Sequence, residues 1–283
     1  MTNLPAGLAL AAAALTGLTP VILKDPSSRV DPAALNAVRF GVAALLLLPM
    51  SWSDLSEADI RLFALGAAVG VLGPGLAWYI YLKALRLSDV SVVSPLTNAY
   101  PLFSAPICFA LTGLKPSSQV ALGTVAVVSG VSLVAKSEGR SKGSLSLGAI
   151  LSLVVAAIWG LNTVLLKLAL SGGSPLALAS VRTATAAALL GPLYFARGGG
   201  AQPISRRDAA SAAAVGVLGD VAAMLAMLVA LDLGDPYVVI PLTGTTPIFA
   251  ALFAGSLLKE RVDPSRLVGI LLTVAGGSLL TLS

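Results

Sequence analysis

The 283-residue sequence has no histidine and one cysteine, Cys108. Without histidine the usual zinc and iron ligand sets and any HExxH helix are excluded, so no metal is expected. One cysteine excludes an internal disulfide framework. Charge is also scarce: 11% of residues are Asp, Glu, Lys or Arg, where soluble domains carry about 25%. There is no phosphate-cradling Gly-rich loop and there are no paired intramembrane carboxylates, which argues against a membrane-embedded hydrolase and against ATP or any other cofactor. The 18 Lys and Arg outnumber 13 Asp and Glu, yet they lie in short gaps and build no basic tract, so no nucleic-acid partner is expected.

Apolar residues dominate, at 57% of the chain with a mean hydropathy of +0.92. Crossing about 30 Å of hydrocarbon takes roughly 20 helical residues, and ten runs approach that length: about 4–23, 32–50, 61–82, 90–112, 117–135, 145–168, 175–195, 209–231, 236–258 and 264–281. Loop-like segments such as "KDPSSRVD", "SGGSP" and "RGGGAQPISRRD" separate them. The expectation is an all-α integral membrane protein of ten transmembrane helices. The first run has no basic residue ahead of it and matches an internal run, so it reads as a retained helix rather than a signal peptide.

That match belongs to a repeat. "ALTGLTPVILK" (Ala14 to Lys24) aligns without gaps to "AIWGLNTVLLK" (Ala157 to Lys167), and at the same offset of 143 Pro32, Val38, Arg39 and Pro49 fall on Pro175, Val181, Arg182 and Pro192. "AVGVLG" at Ala68 to Gly73 recurs at Ala214 to Gly219, offset by 146. Each half, 1–137 and 145–283, then holds five helices. An odd number turns the second half upside down, the inverted-repeat plan of secondary transporters.

"VVSPLTNAYP" (Val92 to Pro101) and "VVIPLTGTTP" (Val238 to Pro247) share their prolines and Leu-Thr in register. Pro101 frees the carbonyl of Thr97 and Pro247 that of Thr243, and such breaks are tolerated in lipid where protein, a hydroxyl or water completes the hydrogen bonds. Pro95, Pro101, Pro241 and Pro247 are therefore read as hinges of a gate beside a wet cavity. Thr97, Asn98, Tyr100, Thr243 and Thr246 become cavity candidates, with kinking for packing and Thr hydroxyls capping the freed carbonyls as the plainer alternative. Trp78, Tyr79, Trp159 and Asn162 join them, Trp78 and Tyr79 being equally placed to act as interfacial anchors. Asp220 lies mid-span, where a lone carboxylate is costly. It reads either as a proton-coupling or gating group or as half of an ion pair with Arg182. Arg39 reads as having no such partner, because Pro74 stands at the position aligned with Asp220. It is read as snorkelling or meeting a substrate carboxylate. Gly66 and Gly70, and the stripe Gly269, Thr273 and Gly277, suit close helix packing. A monomer is expected, with a dimer the alternative.

Two five-helix halves, an Arg in the second helix of each, the proline-bearing fourth helices and the ending "LLKERVDPSRLVGILLTVAGGSLL" resemble the EamA branch of the drug/metabolite transporter superfamily. At the position aligned with Glu260 the first half has Leu114, a departure from that pattern. The resemblance implies an exporter of small metabolites, amino acids first, with drugs or nucleosides as alternatives and a channel or lipid enzyme behind them. Small-molecule substrate and membrane lipid are the implied partners. Loops after the odd-numbered runs hold thirteen Lys and Arg, Lys24 to Arg266, while the face with both termini holds Arg61, Lys115 and Lys167. The positive-inside rule then places both termini outside a cell membrane, a bacterial inner membrane by resemblance.

Overall fold

The structure, a computed structural model, describes residues 4–112, 117–137, 146–196 and 204–281. Leu114, Lys115, Arg140, Lys142 and Arg197 lie outside the described residues. Those described are helical, with no strand among them. The helices are α1 Leu4–Arg29, α2 Pro32–Met50, α3 Trp52–Glu57, α4 Ile60–Leu87, α5 Val90–Thr97, α6 Pro101–Thr112, α7 Ser118–Lys136, α8 Leu147–Gly172, α9 Pro175–Ala196, α10 Arg206–Leu233, α11 Pro236–Thr243, α12 Thr246–Leu257 and α13 Pro264–Thr281. Short polar residues start many of them: Asp31, Asp59, Ser117, Ser146 and Ser205 each accept a first-turn backbone N–H, as N-caps do.

Among the described residues, eight helices are long and apolar enough to cross a bilayer: α1, α2, α4, α7, α8, α9, α10 and the stretch Val238–Leu257 formed by α11 and α12. Pro264–Leu280 is apolar but shorter. The run expected as one helix over 90–112 is two, because the chain turns through Asn98, Ala99 and Tyr100 before Pro101 starts α6. The second half turns at the matching place, after Thr243.

The halves interlock. Helix α2 packs on α9, and α7 on α13. Small residues allow close approach of α7 to α13 and of α4 to α9: a Cβ on Gly130 would stand 2.6 Å from the Gly269 carbonyl oxygen, and one on Gly70 2.6 Å from that of Arg182. The GxxxG pair therefore serves contact between α4 and α9 inside the chain. Hydrogen bonds define two polar ends. One gathers the connections after α1, α4, α7, α9 and α12, through Lys24 to the Ser88 carbonyl, Ser88 to Ser146, Arg29 to Asp208 and Glu260 to Val90. At the other, the Asp59 N–H donates to the Gly172 carbonyl at 2.9 Å and Gln119 to that of Leu279 at 3.2 Å.

Two segments wind more loosely. Val71–Ala77 within α4 and Gly216–Ala222 within α10 are π-helical, a form enriched at functional sites. They are repeat counterparts, and they carry Pro74 and Asp220.

Candidate functional site

Two adjoining cavities occupy the middle of the bundle. The larger, about 380 Å³, is lined by α1, α10, α11, α12 and α13 together with Arg39, Trp78, Tyr100 and Arg182. The smaller, about 220 Å³, lies between α4 and α8 beside Trp159, Asn162 and Pro74. Trp78, Tyr100, Arg182 and Asp220 line both.

The charged centre differs from the sequence expectation. Arg39 is 2% exposed, so it does not snorkel, and it does have a partner: its Nε donates to Asp220 Oδ2 at 2.5 Å and its Nη2 to Oδ1 at 2.7 Å. The guanidinium also stands 3.7 Å from the centroid of the Trp78 ring, a cation–π contact. The expected pair of Arg182 with Asp220 is not formed. Asp220 pairs across the repeat boundary because α2 of the first half lies against the π-segment of α10. Arg182 remains beside them, its Nε buried without a hydrogen-bond partner.

The proline breaks resolve locally. The Thr97 carbonyl that Pro101 frees accepts the N–H of Tyr100 at 3.3 Å, and the Thr243 carbonyl accepts the Thr246 hydroxyl at 2.9 Å. Thr97 itself is fully buried, its hydroxyl donating to the carbonyls of Val93 and Ser94, and it lines neither cavity. Its hydroxyl thus serves carbonyls of its own turn and not the one that Pro101 frees. Asn98, Tyr100, Pro101, Thr243 and Thr246 line the larger cavity. Pro95 and Pro247 are buried, and Pro241 lies within α11. Tyr79 is also outside both cavities: one residue along a helix rotates a side chain by about 100°, and its ring sits 4.5 Å from the Lys83 ammonium instead. Trp78 packs with Tyr81 and Trp159 at centroid separations of 4.6 to 5.7 Å, an aromatic wall for an apolar body.

Sequence reasoning missed Met224, Met227 and Ser278, which line the larger cavity, and fully buried Asn36, whose side-chain oxygen and nitrogen both lack partners. Thr273, counted only in a packing stripe, lines it too. Nothing in their spacing separates them from packing residues.

Below the cavity, the first polar end is tied shut. Lys24 Nζ donates to the carbonyls of Leu85 and Ser88 at 2.5 and 2.6 Å, and Arg86 donates to those of Ser27 and Val30. Glu260, from the connection after α12, accepts the N–H groups of Val90 and Ser91 and the Ser91 hydroxyl, so it caps α5 rather than meeting substrate. Arg266 joins Asp89, Ser91 and Ser137. Asp263, ahead of α13, accepts the Arg266 N–H, which with Ser265 holds its carboxyl below the usual carboxylate range.

A polytopic helical bundle around a polar, aromatic-walled central cavity suits the carriage of a small molecule. The EamA-like transporter family model matches residues 4–136 and again 146–282, and the chain belongs to that family. It is a multi-pass membrane protein and a transporter of small molecules by membership. Among solved structures, one described only as "Crystal structure of protein" shares the fold at 15% identity, with a TM-score of 0.67 over 100% of this chain and 98% of that one. None of the curated proteins matches the sequence.

Proposed function

We propose that the protein is a secondary exporter of small organic metabolites, amino acids and particularly aromatic ones foremost, working by alternating access with ten crossings in two inverted halves, 1–137 and 145–283. An asymmetry between repeat equivalents carries this reading. Lys24 ties α1 to the carbonyls of Leu85 and Ser88. Its equivalent 143 residues on, Lys167, is exposed and makes no hydrogen bond among the described residues, although Leu231 and Gly234 stand where Leu85 and Ser88 do in the repeat. The lysine latch of one end thus has no counterpart at the other, and exchanging the two arrangements would turn the cavity to the opposite face. A channel has no use for such a pair of latches.

Counterflow of labelled amino acids into proteoliposomes, with and without a pH gradient, tests the function. Saturable exchange is expected, with Trp159→Ala and Asn162→Ala slowing it at least tenfold while leaving the detergent-purified protein monodisperse. Non-saturating flux would mark a channel instead. Sidedness follows the Lys and Arg bias. On a Cys108→Ser background, Ser171→Cys should react with an impermeant maleimide on intact cells and Ser28→Cys should resist it; the reverse pattern inverts the topology.

A further inference from the structure

Of the two arginines related by the repeat, only one has a counter-charge. Arg39 is held by Asp220. Arg182 has no ion pair among the described residues, and its Nε is buried without a partner. The repeat explains the difference: the residue equivalent to Asp220 is Pro74, which lines the smaller cavity together with Arg182. Among the described residues, two arginines and one aspartate carry the fixed charge on the cavity walls, a formal charge of +1. A guanidinium does not lose its proton in proteins, so this charge persists in a low-dielectric site until an anion arrives.

We propose that Arg182 receives the carboxylate of the substrate, and that the transported species is a singly anionic organic acid whose apolar body lies against Trp78, Tyr100 and Trp159. The proposal rests on the transporter reading and moves its favoured substrate from zwitterionic amino acids to monocarboxylate anions. Among the described residues, the one carboxylate on the cavity walls is already engaged by Arg39, so a substrate ammonium finds no free acid among them. An amino acid should therefore gain little from its amino group, and the deaminated acid should bind at least as well.

Calorimetric titration of the purified protein with 3-phenylpropionate, L-phenylalanine and phenethylamine tests this. The acid should bind at least about tenfold more tightly than the amine, the scale of a charge-assisted pair. Arg182→Gln should remove that preference and Arg182→Lys retain part of it. Pro74→Asp, which leaves Arg182 intact but offers it a resident carboxylate, should also weaken acid binding. Unchanged acid affinity in a folded Arg182→Gln protein, or equal binding of acid and amine by the parent, overturns the proposal. If counterflow runs with a substrate while the acid fails to bind, this inference falls and the transporter reading stands; if neither counterflow nor binding occurs with any compound, both fall.

Discussion

Asp220→Asn is expected to cost about 3–5 kcal/mol of stability, the range for stripping one partner from a buried ion pair, and to abolish transport. The substitution leaves the Arg39 guanidinium 2% exposed among apolar neighbours, with the face of Trp78 as its remaining stabiliser. A guanidinium cannot discard its charge, so the penalty is not relieved by proton exchange. Arg39→Gln should be milder, since an isolated carboxyl can take up a proton, and the double variant should recover part of the loss. Thermal unfolding in detergent reads all three. Equal, small shifts of under about 1 kcal/mol would mean that the pair is solvated and the central cavity is wetter than its lining suggests.

Lys24→Met should shift the protein away from the conformation seen here. Hydrogen bonds from charged donors contribute about 1.5–3 kcal/mol each, and this side chain makes two. Loss of even one such contribution moves a two-state equilibrium by about ten- to a hundredfold. Substrate binding would persist while exchange slows, because the closed end no longer holds. Lys167→Met, by contrast, removes no contact present in this state and should leave it populated. An unchanged population in Lys24→Met would show that the Lys24 bonds are incidental to closure.

The repeat was legible because offsets of 143 and 146 run through both halves, and the proline frames marked the broken helices. The identity of the ion pair was not. Alignment set Asp220 opposite Pro74 and depth suggested Arg182, but the partner came from the other half through packing of α2 on α10, which no within-half comparison reveals. The π-segments were equally hidden: Gly216–Ala222 has no proline, and looser winding there depends on tertiary context. Thr97 misled for a local reason, since its hydroxyl is taken up by the carbonyls of Val93 and Ser94 in its own turn. Glu260 was recognisable as a family feature, yet its task as a cap on Val90 and Ser91 needed the fold.

Alternating access is tested most directly by distances between spin labels at repeat-equivalent pairs on a Cys108→Ser background: Ser28→Cys with Leu87→Cys at the latched end, and Ser171→Cys with Leu233→Cys at the other. All four positions are exposed and lie at helix ends. In liposomes exchanging substrate, the first pair should gain a longer distance as the second gains a shorter one, the two new populations rising together. Single distances that stay fixed at both ends during exchange would contradict the account.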